Sequence, residues 1–453
     1  MKTPSTFQIL HANLSSLFEN IQCSHLVVAY SGGLDSSVLL DLVACFVGKS
    51  KIKIPVSLVH VDHGLSSSSA QWAQHCKKTA ALYDFKCTIV QIEEARGANM
   101  SEEEWARNAR YEVLKRFVNT GVCLLTAHHK NDQVETILHH AMSGSGPHGL
   151  IGMREVRNFS RGLLIRPLLN VSAESIKKYA VEKKLKWVED SSNESDRYLR
   201  NKIRKRALPA LEEVYPSALE GIYRVGLRQL QIVEGLNEIL DPKIEICAVS
   251  ESIYSIEVFK QFPKSLHGFL IKRLMQRVNF PVPRESHVLA ILNILNSTRK
   301  RSPVVRWAGV EVRLYRDCIY LMNELPTSSC PPLSWTGLSM SMPWGELRIE
   351  KGAGHEVLDP EKILNKNIKV RFRKGGEKFQ PARSCFHHDL KKLFQRWNVP
   401  PWERAFVPLI ENGDEIIAVC GYGVSNDYLA VPGTVGFMFN LELSIYDLSA
   451  NAC

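Results

Sequence analysis

Leu26-Val27-Val28-Ala29-Tyr30-Ser31-Gly32-Gly33-Leu34-Asp35-Ser36 is the stretch that decides the fold of this chain. Leu26–Tyr30 is short, apolar and β-rich, and reads as a strand. It runs straight into the glycines and hydroxyls of Ser31–Ser36, and then into an expected helix over Ser37–Phe46. That arrangement is a phosphate cradle. Gly32 and Gly33 let the backbone turn and come close to an anion where a side chain would block it. Ser31 and Ser36 add hydroxyls, and unpaired N–H groups at the helix start face the anion. The lysine of G-x-x-x-x-G-K-[ST] is missing, so γ-phosphoryl transfer fits poorly. An ordinary Gly-Gly turn would explain an isolated S-G-G, but it explains the six-residue string between strand and helix less well.

Further apolar runs follow at Val56–Val61, Cys87–Ile92, Cys123–Ala127 and Leu163–Ile165, with helical stretches such as Glu102–Phe117 and Gln133–Met142 between them. Strand–helix alternation predicts an α/β domain, a doubly wound parallel sheet over residues 1–215 that binds ligands at the C-terminal strand ends. Beyond it, Leu219, Ile222, Tyr223, Leu230 and Val233 suit one face of a long helix, and Ser265–Val278 and Glu285–Leu295 read as helices. Val310–Leu314 alternates and turns at Arg316-Asp317 into Cys318–Met322, an expected hairpin. A mainly helical domain is therefore expected over 216–325, a linker over Pro326–Pro343, and a small α+β domain over 345–453. The last strand places Val435, Phe437, Phe439, Leu441 and Leu443 on one side.

The 453 residues are 45% hydrophobic and 23% charged, which excludes a wholly disordered or fibrous chain. No stretch reaches the roughly 18 uninterrupted apolar residues of a membrane span. His11, Asn13 and Glu19 stand where a secretory signal would be apolar, so a cytoplasmic protein without a membrane partner is expected. None of the 11 cysteines forms a C-x-x-C, which argues against zinc ribbons, thioredoxin-type pairs and Cys-held iron–sulfur clusters. Buried free thiols are the expectation.

The net charge of +10 is uneven. Arg197–Arg206 carries +6, Arg299–Arg306 +4 and Lys366–Arg404 +8, leaving −8 for the rest. One such run is usually a solvated face, whereas three on an otherwise acidic chain suggest a polyanion held by several domains. Lys366–Arg404 also holds Phe372, Phe379, Phe386, Phe394, Trp397 and Trp402; most are expected in the core, though stacking on unpaired bases is conceivable.

The string Ser31–Ser36 resembles the PP-loop, S-G-G-x-D-S, of the N-type ATP pyrophosphatases, which cut ATP between its α- and β-phosphates. The ordered set that follows narrows the resemblance to one family. It comprises Val59–Leu65, Arg107-Asn108-Ala109-Arg110-Tyr111, Thr126–Thr136, Gly144–Leu150, Arg166-Pro167-Leu168-Leu169, Glu189–Asn193, Tyr198–Arg204, and Val370–Gly376 through Lys391-Lys392-Leu393-Phe394. Along nearly its whole length the chain resembles the tRNA(Ile)-lysidine synthetases. The resemblance implies that O2 of the wobble cytidine in a CAU anticodon attacks the α-phosphate of ATP, releasing pyrophosphate. The amine of free L-lysine then displaces AMP at C2.

That chemistry implies ATP and Mg²⁺, with Ser31, Gly32, Gly33, Leu34, Asp35 and Ser36 holding ATP and Asp35 also the candidate metal ligand. Lysine, with a solution pKa of about 10.4, must lose a proton, and Asp132 and Glu135 are the candidates to bind its ammonium and accept that proton. Many relatives carry two aspartates where this chain has Asn131-Asp132, so the essential carboxylate here must be Asp132. Arg107, Arg110, Arg200, Asn201, Arg204, Lys374, Lys391 and Lys392 are the candidates for tRNA. A homodimer is compatible with the sequence. His129, Asp132, Glu135 and His139 also have spacing compatible with a metallohydrolase. Gly144–Gly149 matches G-x-G-x-x-G but follows a helix, so it reads as a loop near the site rather than a dinucleotide fingerprint. The competing functions are a PP-loop tRNA thiolase and a non-catalytic RNA-binding protein.

Overall fold

Leu26 and Val28 face one side of strand β1 (His25–Ala29) and Val27 the other, and all three are buried. A strand buried on both faces must lie inside a sheet covered by helices on each side, and β1 does. In the computed structural model the described residues are 16–18, 21–49, 54–64, 69–92, 101–189, 199–297, 303–326, 332–335, 339–353, 357–364 and 366–446. They form two units, the first reaching Asp241 and the second spanning Pro242–Leu448.

The first unit is built on a six-stranded sheet in the order β3-β2-β1-β4-β6-β5. Its other strands are β2 (Val56–Asp62), β3 (Lys86–Gln91), β4 (Val122–Leu125), β5 (Val156–Phe159) and β6 (Gly162–Ile165). Helices α1 (Leu34–Lys49), α2 (Ser69–Leu82) and α3 (Glu102–Lys115) connect the first four strands, and α4 (Lys130–Met142), the short α5 (Pro147–Leu150) and α6 (Ala173–Glu182) follow. All neighbours pair in parallel except β5 with β6. The chain moves outward from β1 through β2 to β3, then returns to lay β4 on the other side of β1. This reversal opens a crevice at the C-terminal ends of β1 and β4, where doubly wound sheets bind ligands. Beyond the sheet come α7 (Leu199–Lys202), a π-helical turn (Ile203–Ala207), α8 (Leu208–Val214) and the long α9 (Ala218–Ile246), with Pro242 inside it.

One expectation about cysteine is corrected. The sulfurs of Cys23 and Cys123 are bonded, joining the entry to β1 to β4, with their Cα atoms 6.1 Å apart. Among the described free thiols Cys76 and Cys420 are buried, whereas Cys385 is exposed.

The second unit contains the expected hairpin, as β10 (Val310–Tyr315) and β11 (Cys318–Asn323), with Arg316 at the turn in a left-handed conformation (φ 53°). The hairpin belongs to a five-stranded antiparallel sheet with β7 (Ala248–Ser250), β8 (Ile253–Ser255) and β9 (Val304–Trp307), so this region is less purely helical than its periodicity suggested. Its helices include His267–Arg277 and Glu285–Leu295.

The stretch Pro326–Pro343 is not simply a linker. Within it, β12 (Leu333–Ser334) and β13 (Met340–Met342) pair with strands of the C-terminal region. There β14 (Gly345–Ala353) joins the final strand Val435–Leu443 over nine residue pairs. Phe437, Phe439, Leu441 and Leu443 of that strand contribute to the core, and Val435 is exposed.

A buried acid sits in this unit. Glu403 accepts a hydrogen bond from the Tyr446 hydroxyl, which accepts one from Trp402 Nε1 at 3.2 Å. Tyr315 and Tyr320 pack edge-on against Trp402. Burial pushes the Glu403 carboxyl up to about 7. In the unfolded chain it ionises near its ordinary value of about 4.3, so between those pH values the folded state holds more protons and stability falls as pH rises. Glu403→Gln is therefore expected to stabilise the protein above pH 7, by up to about 3 kcal/mol, and to be neutral below pH 4. Denaturation midpoints at pH 4 and pH 8 check this; an equal effect at both would refute it.

Candidate active site

The PP-loop leaves the C-terminal end of β1 and enters α1 at Leu34. Gly32 adopts φ +83°, and a Cβ there would lie 3.1 Å from Cys76 Sγ, so this position favours glycine for both conformation and space. Ser31 Oγ is 3.0 Å from Ser36 Oγ, and Ser36 Oγ donates to the Gly33 carbonyl at 3.0 Å. The Val188 N–H donates to the Gly32 carbonyl (2.9 Å), fixing the loop from outside.

Across the crevice, α4 starts with a reciprocal cap. The His129 N–H donates to Asp132 Oδ2 at 2.9 Å and the Asp132 N–H donates to His129 Nδ1 at 3.4 Å. Nδ1 is thereby an acceptor, so in the neutral ring Nε2 carries the proton. His129 Nε2 lies 3.7 Å from Asp35 Oδ2 and 3.6 Å from Asp132 Oδ2. The cap thus joins α4 to the second residue of α1. The predicted residues Asp35 and Asp132 meet here, with His129 between them.

Glu135 sits one turn along α4 and is buried. Arg200 reaches it from α7, Nε to Oε2 at 2.6 Å, and also Asp132 Oδ1 at 2.6 Å. Arg204 reaches Glu135 Oε1 at 2.6 Å and Asp132 Oδ1 at 3.0 Å. Two guanidiniums clasp two carboxylates, and this revises two expectations. Arg200 and Arg204 are turned towards acids rather than standing as a basic patch. The Glu135 oxygens assigned to lysine's ammonium are already engaged by the two guanidiniums. Separation in sequence hid the arrangement, since the partners lie 65 to 72 residues apart.

Three carboxylates against two guanidiniums leave one negative charge, and among the described residues Asp35 is the carboxylate that no guanidinium approaches within 4 Å. Its side chain remains 42% exposed. Partial burial, opposed by His129 and reinforced by Asp132, holds its carboxyl above the usual range. Burial would raise Asp132 too, but His129, Arg200 and the His129 N–H outweigh it and hold Asp132 low. An exposed hard oxygen beside a phosphate loop suits Mg²⁺, so the residues present fit that ion.

Asn131 has another task. Its Oδ1 accepts the Ala173 N–H at the start of α6 (3.1 Å), away from the carboxylates. His139 is exposed and His140 Nδ1 is 2.6 Å from the Gly149 carbonyl, so neither joins Asp132 and Glu135. Gly144–Gly149 forms the turn after α4 and the start of α5. Burial and Arg166 push His128 down to about 3, leaving it neutral 2.9 Å from Thr126 Oγ1. Arg110 donates to His63 Nε2 at 3.2 Å, and burial together with Arg110 pushes His63 down to about 4. Arg107 lies over the Tyr111 ring. Asn201 is half-buried on α7. Glu189 is described, whereas Leu65, Asp190–Asn193, Tyr198 and the basic residues Arg197 and Arg299–Arg301 lie outside the described residues.

In the second unit Lys374, Lys391 and Lys392 are exposed, and Lys392 pairs with Asp389 at 3.3 Å. Arg371 is tied to Glu377 and Glu411, and buried Arg404 donates to the Val399 carbonyl (3.0 Å), so part of that basic run is internal. Phe372, Phe379, Phe394 and Trp402 are core residues, and Trp397 stacks on Tyr422. Phe386 is 74% exposed.

A P-loop-like cradle without its lysine, at the switch point of a parallel sheet and facing a carboxylate pair, defines a PP-loop domain, and the PP-loop domain model matches residues 7–211. The TilS substrate binding domain matches residues 255–320 and the TilS substrate C-terminal domain residues 368–441. The chain belongs to the tRNA(Ile)-lysidine synthase family. It is 34% identical over 415 residues to the tRNA(Ile)-lysidine synthase of Alkalilimnicola ehrlichii, covering 90% of this chain and 91% of that one. Against the Coxiella burnetii protein of the same name it is 31% identical, over 90% and 91% of the two chains. Against that of Vibrio vulnificus it is 32% identical, over 93% and 97%. No helix among the described residues is long and apolar enough to cross a membrane.

Proposed function

We propose that this chain attaches L-lysine to C2 of the wobble cytidine in the CAU anticodon of tRNA(Ile). ATP is the activating substrate, an adenylated cytidine the intermediate, and lysidine, AMP and pyrophosphate the products. The observation that carries this reading is the crevice itself, where an intact PP-loop faces the His129–Asp132 cap in a chain whose two later matched segments are TilS substrate domains.

The N–H groups and hydroxyls of Ser31–Ser36 would bind the departing pyrophosphate, stabilising charge as it develops. Asp35 would hold Mg²⁺, which when bound supplies charge neutralisation at the phosphates. Asp35, which faces His129 and is gripped by no guanidinium, keeps its oxygens for a cation, and we assign the lysine ammonium to this side of the crevice. Glu135 then positions Arg200 and Arg204. Lys374, Lys391 and Lys392 would contact tRNA phosphates, and exposed Phe386 is the aromatic residue of that run left for stacking on a base.

Labelled lysine should enter an isoleucine tRNA transcript bearing CAU when protein, ATP and Mg²⁺ are supplied. Sulfur incorporation in place of lysine would favour the thiolase, and the absence of both products would refute the ligase.

A further inference from the structure

Three arginines gather around one tyrosine at the same end of the sheet, outside the crevice described above. Arg166 directly follows β6, at its C-terminal end. Arg157 is on β5, where it pairs with Leu164. Arg107 is on α3, the helix that leads into β4. The Arg107 guanidinium lies 5.5 Å from the Tyr111 ring centroid and that of Arg157 6.0 Å from it, with Arg157 also 5.4 Å from the Phe159 ring. Tyr111 and Phe159 meet edge-on, so they form an aromatic floor beneath the cations.

The charge here is uncompensated. Among the described residues no carboxylate lies within 4 Å of these guanidiniums, in contrast to Arg200 and Arg204 nearby. Arg166 is only 4% exposed, and its Nη1 donates to the Arg154 carbonyl at 2.6 Å. Its Nε and that of Arg157 are buried without a hydrogen-bond partner. Burial, opposed by Tyr111 and reinforced by Arg157 and Arg107, pulls Arg166 down to about 10. Buried donors and like charges gathered on one spot carry a cost that an anion would remove.

We propose that Arg107, Arg157 and Arg166 form a phosphate site that holds a phosphodiester of the tRNA next to the reacting cytidine. The identity of the ligand rests on the function proposed above. Position favours RNA over the ATP triphosphate. The order β1-β4-β6-β5 places Arg166 two strand spacings, about 10 Å, and Arg157 three, about 14 Å, from the strand that carries the PP-loop, a neighbouring-nucleotide distance rather than a second grip on the same pyrophosphate. Planar guanidiniums that fork onto phosphate oxygens, backed by stacked rings, are the side chains suited to that ligand.

The test uses the full chain and an RNA stem-loop bearing CAU, comparing wild type with the Arg107→Gln/Arg157→Gln double variant and with Arg166→Lys. Unchanged melting temperatures establish that the variants fold. The double variant should bind RNA about 10- to 100-fold more weakly, with the slope of log K against log salt smaller by about one, and should bind ATP within twofold of wild type. A neutral methylphosphonate at a phosphate flanking the cytidine should weaken wild-type binding similarly, and should add little to the defect of the double variant. Lost ATP affinity with an unchanged RNA slope would assign the cluster to the nucleotide and overturn the proposal. Unchanged affinity for both would make it structural, which also overturns it. Failure of wild type itself to bind the stem-loop or add lysine would instead count against the proposed function.

Discussion

Asp35→Asn is expected to lower lysine incorporation by roughly 10²- to 10³-fold without changing thermal stability. Asp35 is the second residue of α1, is partly exposed, and only approaches His129, at 3.7 Å, so little of the fold depends on its charge. Its carboxylate is the unneutralised member of the crevice, and that residual charge is what a divalent cation or an ammonium would use. Removing it takes away the attraction while keeping shape and hydrogen-bonding capacity. Single-turnover assays of lysine transfer, beside a melting curve, check this. Turnover within a few-fold of wild type would remove Asp35 from the chemistry.

The opposite pattern is expected for Glu135→Gln. Glu135 has 1% side-chain exposure and both its oxygens accept from guanidiniums, so a neutral amide would leave Arg200 and Arg204 poorly balanced beside a buried group. Breaking such a cluster costs about 3 kcal/mol, which for a unit of this size is a fall of about 6–12 °C in melting temperature. Activity should fall with it, because the two arginines lose their anchor. The comparison separates the carboxylates. Asp35→Asn should change rate without stability, whereas Glu135→Gln should change both. A fully active, equally stable Glu135→Gln protein would show that the clasp is incidental.

What was legible in the sequence followed from local chemistry. The PP-loop could be read because its glycines and hydroxyls sit between a buried apolar strand and a helix, all within about twenty residues. The hairpin Val310–Asn323 could be read because alternation and turn lie together. What escaped depends on distant partners or on very short elements. β5 carries Arg157 and Asn158 on a four-residue edge strand, too short and too polar to register as one. Strands of two and three residues lay hidden in a Pro- and Ser-rich stretch because backbone pairing, not side-chain pattern, defines them. Cys23 and Cys123 are 100 residues apart with no spacing signature. The sequence offers Arg200 and Arg204 as tRNA ligands without their acidic partners, because a charge tally cannot show which acids face which bases.

The reciprocal cap of α4 constrains how this enzyme can change. At most helix starts, improving the capping residue is a simple route to a sturdier protein, since serine, aspartate or asparagine outperform other choices there. Here the capping pair is His129 and Asp132, and the other nitrogen of the same imidazole faces Asp35 across the crevice. A better cap at position 129 would remove the imidazole that faces Asp35, and a neutral residue at 132 would take away one of the two carboxylates that hold Arg200 and Arg204. An engineer seeking thermal tolerance, or a lineage drifting under heat, would have to leave this helix start alone and improve the protein elsewhere.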